Sequence, residues 1–146
     1  SMPGKASLAA HEYYAYAQNA FWRIVCELLG ADPGISYADR IEVLESRRIA
    51  LWDVMHSCKR QSSLDSDILE DAIVANDFQS LFDSHPNIDY VFFNGAKAEH
   101  AFRKYVLPHL GETCANMTYQ RLPSTSPAHA GMKYADKMEA WRVILS

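Results

Sequence analysis

Short apolar runs of strand length alternate along this chain with segments of helical spacing. That alternation constrains the fold more than any other feature. NAFWRIVCELLG reads as the first helix. Asn19 stands at its N-cap and Gly30 where a terminating glycine belongs, with Phe21, Ile24, Val25, Leu28 and Leu29 at helical spacing. A second helix is predicted from Tyr37 to Arg47, opened by Ser36 with Asp39 and faced by Ile41 and Leu44. RIALWDVM follows as a strand, and Ser57 to Ala75 as a polar loop holding one short helix. Asn76 is expected to cap the helix NDFQSLFDSHP, which Pro86 stops. IDYVFFNG is a second buried strand, AKAEHAFRKYVLPHL a helix, and NMTYQRLP a more polar strand nearer an edge. LPSTSPAHAGM is a loop, and KYADKMEAWRVIL closes the chain as a helix. Strands alternating with helices imply an α/β fold, a parallel sheet covered on both faces. In such sheets ligands bind at the carboxyl ends of the strands.

Composition narrows the class. The 146 residues make one domain, 1–146, with 49% hydrophobic and 22% charged residues. The net charge of −4 argues against a broad basic surface for nucleic acid, although it leaves room for a local DNA site. Cys26, Cys58 and Cys114 are far apart and form no CxxC or Cys/His cluster, so neither zinc nor an iron–sulfur centre is expected. The apolar runs are too short for a membrane span or a secretory signal. The expectation is a cytoplasmic protein with reduced thiols.

Four strand-end segments and one aromatic cluster carry the candidate chemistry. SMPGKAS is a small-residue loop that lets backbone N–H groups approach a ligand, without the spacing of a phosphate-binding fingerprint; taken alone, an ordinary turn explains it better. Asp53 ends an apolar strand, either as a cap partner or as a carboxylate reading an N–H on a ligand. Asn94 precedes Gly95 at the next strand end, as a turn residue or a ligand contact. PSTSPAH packs three hydroxyls, two prolines and a histidine into seven residues, which suits phosphate oxygens as well as a solvated loop. In HEYYAYAQNAFW, Tyr13, Tyr14 and Tyr16 precede the helix, as core or as a stacking surface for a flat ring. No spacing supports a Ser–His–Asp or Cys–His nucleophile.

Taken in order, SMPGKASL, YYAYAQNAFW, IALWDVMHSC, VFFNGAKAE and LPSTSPAHA resemble the uracil-DNA glycosylase superfamily. The nearest likeness is to its hypoxanthine-DNA (deoxyinosine) glycosylase branch, over nearly the whole chain. The resemblance implies a three-layer α/β/α sandwich around a short parallel sheet. It implies hydrolysis of the N-glycosidic bond of a deaminated base flipped from DNA, hypoxanthine first and uracil as the alternative. The transition state would be oxocarbenium-like. No metal and no cofactor are implied, and the expected state is a monomer whose partner is DNA.

Site roles follow from the resemblance residue by residue. Asn19 matches the asparagine that orients the attacking water, its amide accepting from the water and donating elsewhere. Tyr14 matches the aromatic that stacks on the flipped base, and Asp53 the position that reads the base edge. Met2, Pro3, Gly4 and Asn94 complete the base-binding set. Ser7, Ser124, Ser126, Ala128 and His129 make the DNA-binding set, with Ser126 toward phosphate and Ala128 and His129 at the wedge. Arg103, Lys104, Lys133 and Lys137 are further phosphate candidates. A non-catalytic binder on the same scaffold is the competing reading.

The chain also departs from the family. Met2 replaces the water-positioning asparagine of the mismatch-specific relatives, and Ser124 the classical leaving-group histidine. Tyr16–Ala17 stands where a histidine–proline pair is common. The family has a buried strand before the segment matching SMPG, so the expectation is a domain without its first strand, either because the numbered chain is a fragment of a longer one or because the edge of the sheet is altered.

Overall fold

The first helix begins because an asparagine and an aromatic cluster meet its start. The computed structural model describes residues 12–57 and 74–146. These divide into two compact units, one drawn from residues 53–57 and 74–122 and the other from 12–52 with 123–146.

The second of these units contains helices α1 (Phe21–Leu28), α2 (Tyr37–Ser46) and α5 (Tyr134–Trp141), the last continued by a 3₁₀ turn, Arg142–Leu145. By backbone geometry Ala20 is the N-cap of α1, one residue later than expected. The capping bond still comes from Asn19, whose Oδ1 accepts the Phe21 amide at 2.9 Å. At the other end Gly30 takes φ +74°, and its N–H and that of Ala31 reach the carbonyls of Glu27 and Cys26. That bond pair is the Schellman termination the glycine predicted. Ser36 caps α2 through the Asp39 amide, as its sequence pattern requires.

Helix α2 ends in the same way, but without glycine. Arg48 adopts φ +58°, and Arg48 and Ile49 donate to Glu45 and Leu44. This overturns the strand expected over RIALWDVM. The first residues of that run terminate the helix, and regular pairing begins only at Met55. Trp52 is 40% exposed, so the run is not a buried strand.

The core of this unit is Phe21, Trp22, Ile24, Val25, Cys26, Leu29, Leu44 and Trp141. Tyr14 stacks on Phe21 at 4.1 Å, and Trp141 meets Phe21 edge-on at 5.8 Å. Burial pushes the Cys26 thiol above its usual range.

The unit from 53–122 holds two strand pairs among its described residues. Strands β1 (Met55–Ser57) and β2 (Val74–Ala75) pair antiparallel, which corrects the expected parallel strand and the loop reading at residues 74–75. The remainder of that loop, 58–73, lies outside the described residues. Strands β3 (Tyr90–Asn94) and β4 (Thr118–Leu122) pair parallel in continuous register, from Tyr90 opposite Thr118 to Asn94 opposite Leu122. The helix α4 (Ala96–Tyr105) connects them, a βαβ crossover. Helix α3 (Phe78–Ser84) precedes β3. Its cap is Asp77, which accepts the Ser80 amide, and not Asn76. Asn76 is spent on the carbonyl of Asp53, to which its Nδ2 donates at 2.6 Å. The core here is Val54, Met55, Phe78, Phe82, Phe93, Ala101, Phe102, Val106 and Cys114. Strand β3 is less buried than its composition suggests: Phe93 is inside, whereas Tyr90 is 56% exposed.

Candidate active site

Asn19 owes its placement to three local facts. Its amide N–H closes a turn onto the Tyr16 carbonyl at 2.9 Å, its side chain caps α1, and it is half-buried. The Phe21 amide can only donate, so the side-chain atom facing it at 2.9 Å must be the oxygen. The same oxygen lies 2.8 Å from Thr125 Oγ1, so that hydroxyl must be the donor. Both acceptor directions of Oδ1 are therefore occupied. The sequence expectation that the amide accepts from a water changes accordingly: the hydrogen-bonding capacity that remains is the pair of N–H bonds on Nδ2.

Tyr14 precedes this turn with φ +56°. A bulky residue in the left-handed region costs about 1–3 kcal/mol, and such strain concentrates at functional positions. The ring is held against Phe21, the residue whose amide Asn19 caps. Trp22 Nε1 donates to the Tyr13 carbonyl at 2.8 Å, fixing the approach to the strained residue.

The segment 123–129 is pinned rather than solvated. Trp141 Nε1 donates to the Pro123 carbonyl at 2.8 Å, and the Ala20 amide to the Thr125 carbonyl at 3.0 Å. Lys137 Nζ donates to the His129 carbonyl at 2.8 Å. Ser124 Oγ accepts the Ser126 amide, and Ser126 Oγ accepts the Ala128 amide, so each hydroxyl rigidifies the turn and keeps its own proton to donate. Thr125 is 1% exposed, while Ala128 and His129 are exposed.

Sequence reasoning missed Thr125 and Trp141 and misjudged Lys137. Lys137 is only 6% exposed, and desolvation lowers its pKa below the usual lysine range. It holds the loop from beneath and is not a surface phosphate contact. The available signal was its spacing: three residues after Tyr134 and four before Trp141, on the buried face of α5. Lys133 is exposed at the α5 N-cap.

The structure brings Tyr14, Asn19, Ser124, Ser126, Ala128 and His129 into one unit. Asp53 and Asn94 belong to the other. Asp53 is half-buried and lies two residues before β1, not at the end of a strand. Asn94 is the last residue of β3, and the left-handed turn after it belongs to Gly95, at φ +91°. In that unit Arg103 pairs with Glu99 at 3.4 Å on α4, and Lys104 lies 5.3 Å from the Tyr105 ring centroid. Met2, Pro3, Gly4 and Ser7 lie outside the described residues. Among those described, no group of three or more His, Cys, Asp or Glu side chains could hold a metal ion, and no helix is long and apolar enough to cross a membrane.

No family model matches the chain. The hypoxanthine DNA glycosylase of Methanosarcina barkeri (strain Fusaro / DSM 804) is 39% identical over 99 residues, 67% of this chain and 61% of that protein. The protein of the same name from Methanosarcina acetivorans is 35% identical over the same shares. The chain thus spans about three fifths of the length of these curated relatives. A solution NMR structure from Methanosarcina acetivorans, provisionally named a uracil DNA glycosylase, superposes with a TM-score of 0.74 and 29% identity. That match covers 100% of this chain and 88% of the other. The fold is the uracil-DNA glycosylase-like α/β class, a three-layer α/β/α arrangement around a short parallel sheet. The chain is similar in sequence to these hypoxanthine DNA glycosylases and in fold to that solved structure.

Proposed function

We propose that the chain acts as a monofunctional DNA glycosylase that removes hypoxanthine flipped out of DNA, with uracil as the second base. The observation that carries this reading is Asn19, whose Oδ1 is held by the Phe21 amide and the Thr125 hydroxyl. A fixed carboxamide can orient a water but cannot deprotonate it, which suits a reaction whose electrophile is already strongly activated. In that reaction the bond from C1′ to the base nitrogen breaks, and the base leaves with the electron pair. Water oxygen bonds to C1′, one of its protons is lost, and the base acquires a proton. Nδ2–H donates to one lone pair of the water, and the other lone pair faces C1′.

Tyr14 supports base stacking through its fixed, strained placement, and Asp53 would accept the lactam N–H shared by hypoxanthine and uracil. Asn94, Met2, Pro3 and Gly4 are assigned to base binding by the sequence match alone. Ser124 and Ser126 keep hydroxyl protons for phosphate oxygens, and the sequence match alone assigns Ser7 to the same DNA-binding set. Ala128 and His129, both exposed, would fill the space that the flipped base leaves. We further propose a monomer acting in the cytoplasm.

Two labelled duplexes test this, one carrying deoxyinosine and one deoxyuridine, with alkaline cleavage of abasic sites. Release from the inosine strand that is lost in Asn19→Ala is the expected result. Release from uridine alone would move the specificity to uracil. Stable binding of either strand by folded protein, without release, would replace the enzyme with the non-catalytic binder.

A further inference from the structure

We infer that Thr125 is a positioning residue, whose hydroxyl fixes which end of the Asn19 carboxamide faces the attacking water. The inference rests on the reading of Asn19 given above. An asparagine amide has two faces of nearly equal shape, related by a half-turn about the terminal bond. Only one of them, Nδ2 outward, presents donors to the site. The Phe21 amide favours that orientation with one hydrogen bond. Thr125 adds a second at 2.8 Å from a side chain that is 1% exposed, out of competition with bulk water. The backbone reinforces it, because the Thr125 carbonyl takes the Ala20 amide at 3.0 Å, next to Asn19. Threonine suits the task because its γ-methyl restricts the side-chain rotamer, so the hydroxyl direction is set before any ligand arrives.

The neighbouring hydroxyls do different work. Ser124 and Ser126 are half-buried and bond to amides within their own turn, whereas Thr125 alone among the three reaches across 106 residues of sequence to Asn19.

Thr125→Val removes the hydroxyl and keeps the shape; Thr125→Ser keeps the hydroxyl. Single-turnover release from the inosine duplex is expected to slow about ten-fold in Thr125→Val, the equivalent of one lost hydrogen bond. The dissociation constant for DNA should move less than about two-fold, and Thr125→Ser should recover most of the rate. In an Asn19→Ala background, Thr125→Val should add nothing further. Equal slowing in Thr125→Val and Thr125→Ser, or effects that multiply with Asn19→Ala, would overturn the inference.

A readout independent of activity is the heteronuclear NOE of the Asn19 Nδ2 group, assigned by its loss in Asn19→Ala. It should be rigid in the wild type and in Thr125→Ser, and fall in Thr125→Val. An unchanged value in Thr125→Val refutes the orientation lock even if base release slows. Wild-type protein that releases no base overturns the reaction and the positioning role with it, while the NOE still reports the lock, so the two failures are told apart.

Discussion

Replacing Asn19 by alanine should cost stability as well as activity, and the structure gives the size. The substitution deletes the acceptor for the Phe21 amide, a helix cap, worth about 1 kcal/mol. It also removes the hydrogen bond from the Thr125 hydroxyl, a residue 1% exposed, to the Asn19 oxygen. A buried polar group left unsatisfied costs about 1–3 kcal/mol, here nearer the lower end because Asn19 is half-buried and water can enter the gap. The expected loss is about 2–3 kcal/mol, which lowers the melting temperature by roughly 4–12 °C. Asn19→Asp separates the two contributions. A carboxylate keeps acceptors for both the amide and the hydroxyl, and its charge is favourable at the start of α1. It should therefore lie within about 1 kcal/mol of the wild type at neutral pH. Urea denaturation followed by circular dichroism at pH 7 measures all three proteins. A loss below about 0.5 kcal/mol in Asn19→Ala would refute the double hydrogen bond as drawn. A loss in Asn19→Asp as large as in Asn19→Ala would show that the lock needs the amide itself.

The remaining predictions concern the loop support and the helix ends. Burial lowers the pKa of Lys137 in the folded protein, so just below its ordinary value of 10.5 the unfolded chain binds more protons and stability rises with pH. Lys137→Met should abolish that part of the alkaline rise, as denaturation midpoints taken through the range just below pH 10.5 would show; an identical slope in the variant would refute the assignment. Gly30→Ala should destabilise by about 1 kcal/mol because φ is +74°, although nothing lies within 4 Å of the added methyl. Arg48→Gly should gain up to about 1 kcal/mol at the matching end of α2, and a loss there would show that the arginine side chain matters more than its backbone. Both are read by the same urea titration.

How far the sequence discloses the molecule depends on the range over which each signal acts. Gly30 was legible because a glycine just after an apolar helical period has a local meaning. Ser36 was legible for the same reason, its partner being three residues away. The end of α2 was not, because Arg48 takes a conformation normally left to glycine and no residue type announces it. RIALWDVM then misled: its apolar composition suits a strand as well as a helix terminus. Asn76 and Asp77 are both good caps, and the choice between them was settled by the Asp53 carbonyl, which Asn76 serves instead. At the site, Asn19 and the PSTSPAH loop were each visible as motifs. Their hydrogen bond was not, because three adjacent hydroxyls carry no local mark of which one is buried.

That hydrogen bond changes what the two motifs mean together. In the reading proposed here, the loop 123–129 meets DNA and Asn19 meets the water, and each could be altered separately. The structure instead runs the restraint on the amide through the loop itself, by way of Thr125. The loop is in turn held at Pro123 by Trp141 and at His129 by Lys137, both on α5. A displacement of the loop by a phosphate backbone would therefore be felt first at Thr125 Oγ1, and next at the orientation of the amide. It follows that substitutions in α5, remote from any ligand, should act on the rate of base release more than on DNA affinity. Trp141→Phe removes the bond to Pro123 while keeping an aromatic ring against Phe21, and so isolates that effect. A slowed single-turnover rate with unchanged DNA binding is the expected signature. A change in affinity alone would mean that the loop grips DNA without governing the water.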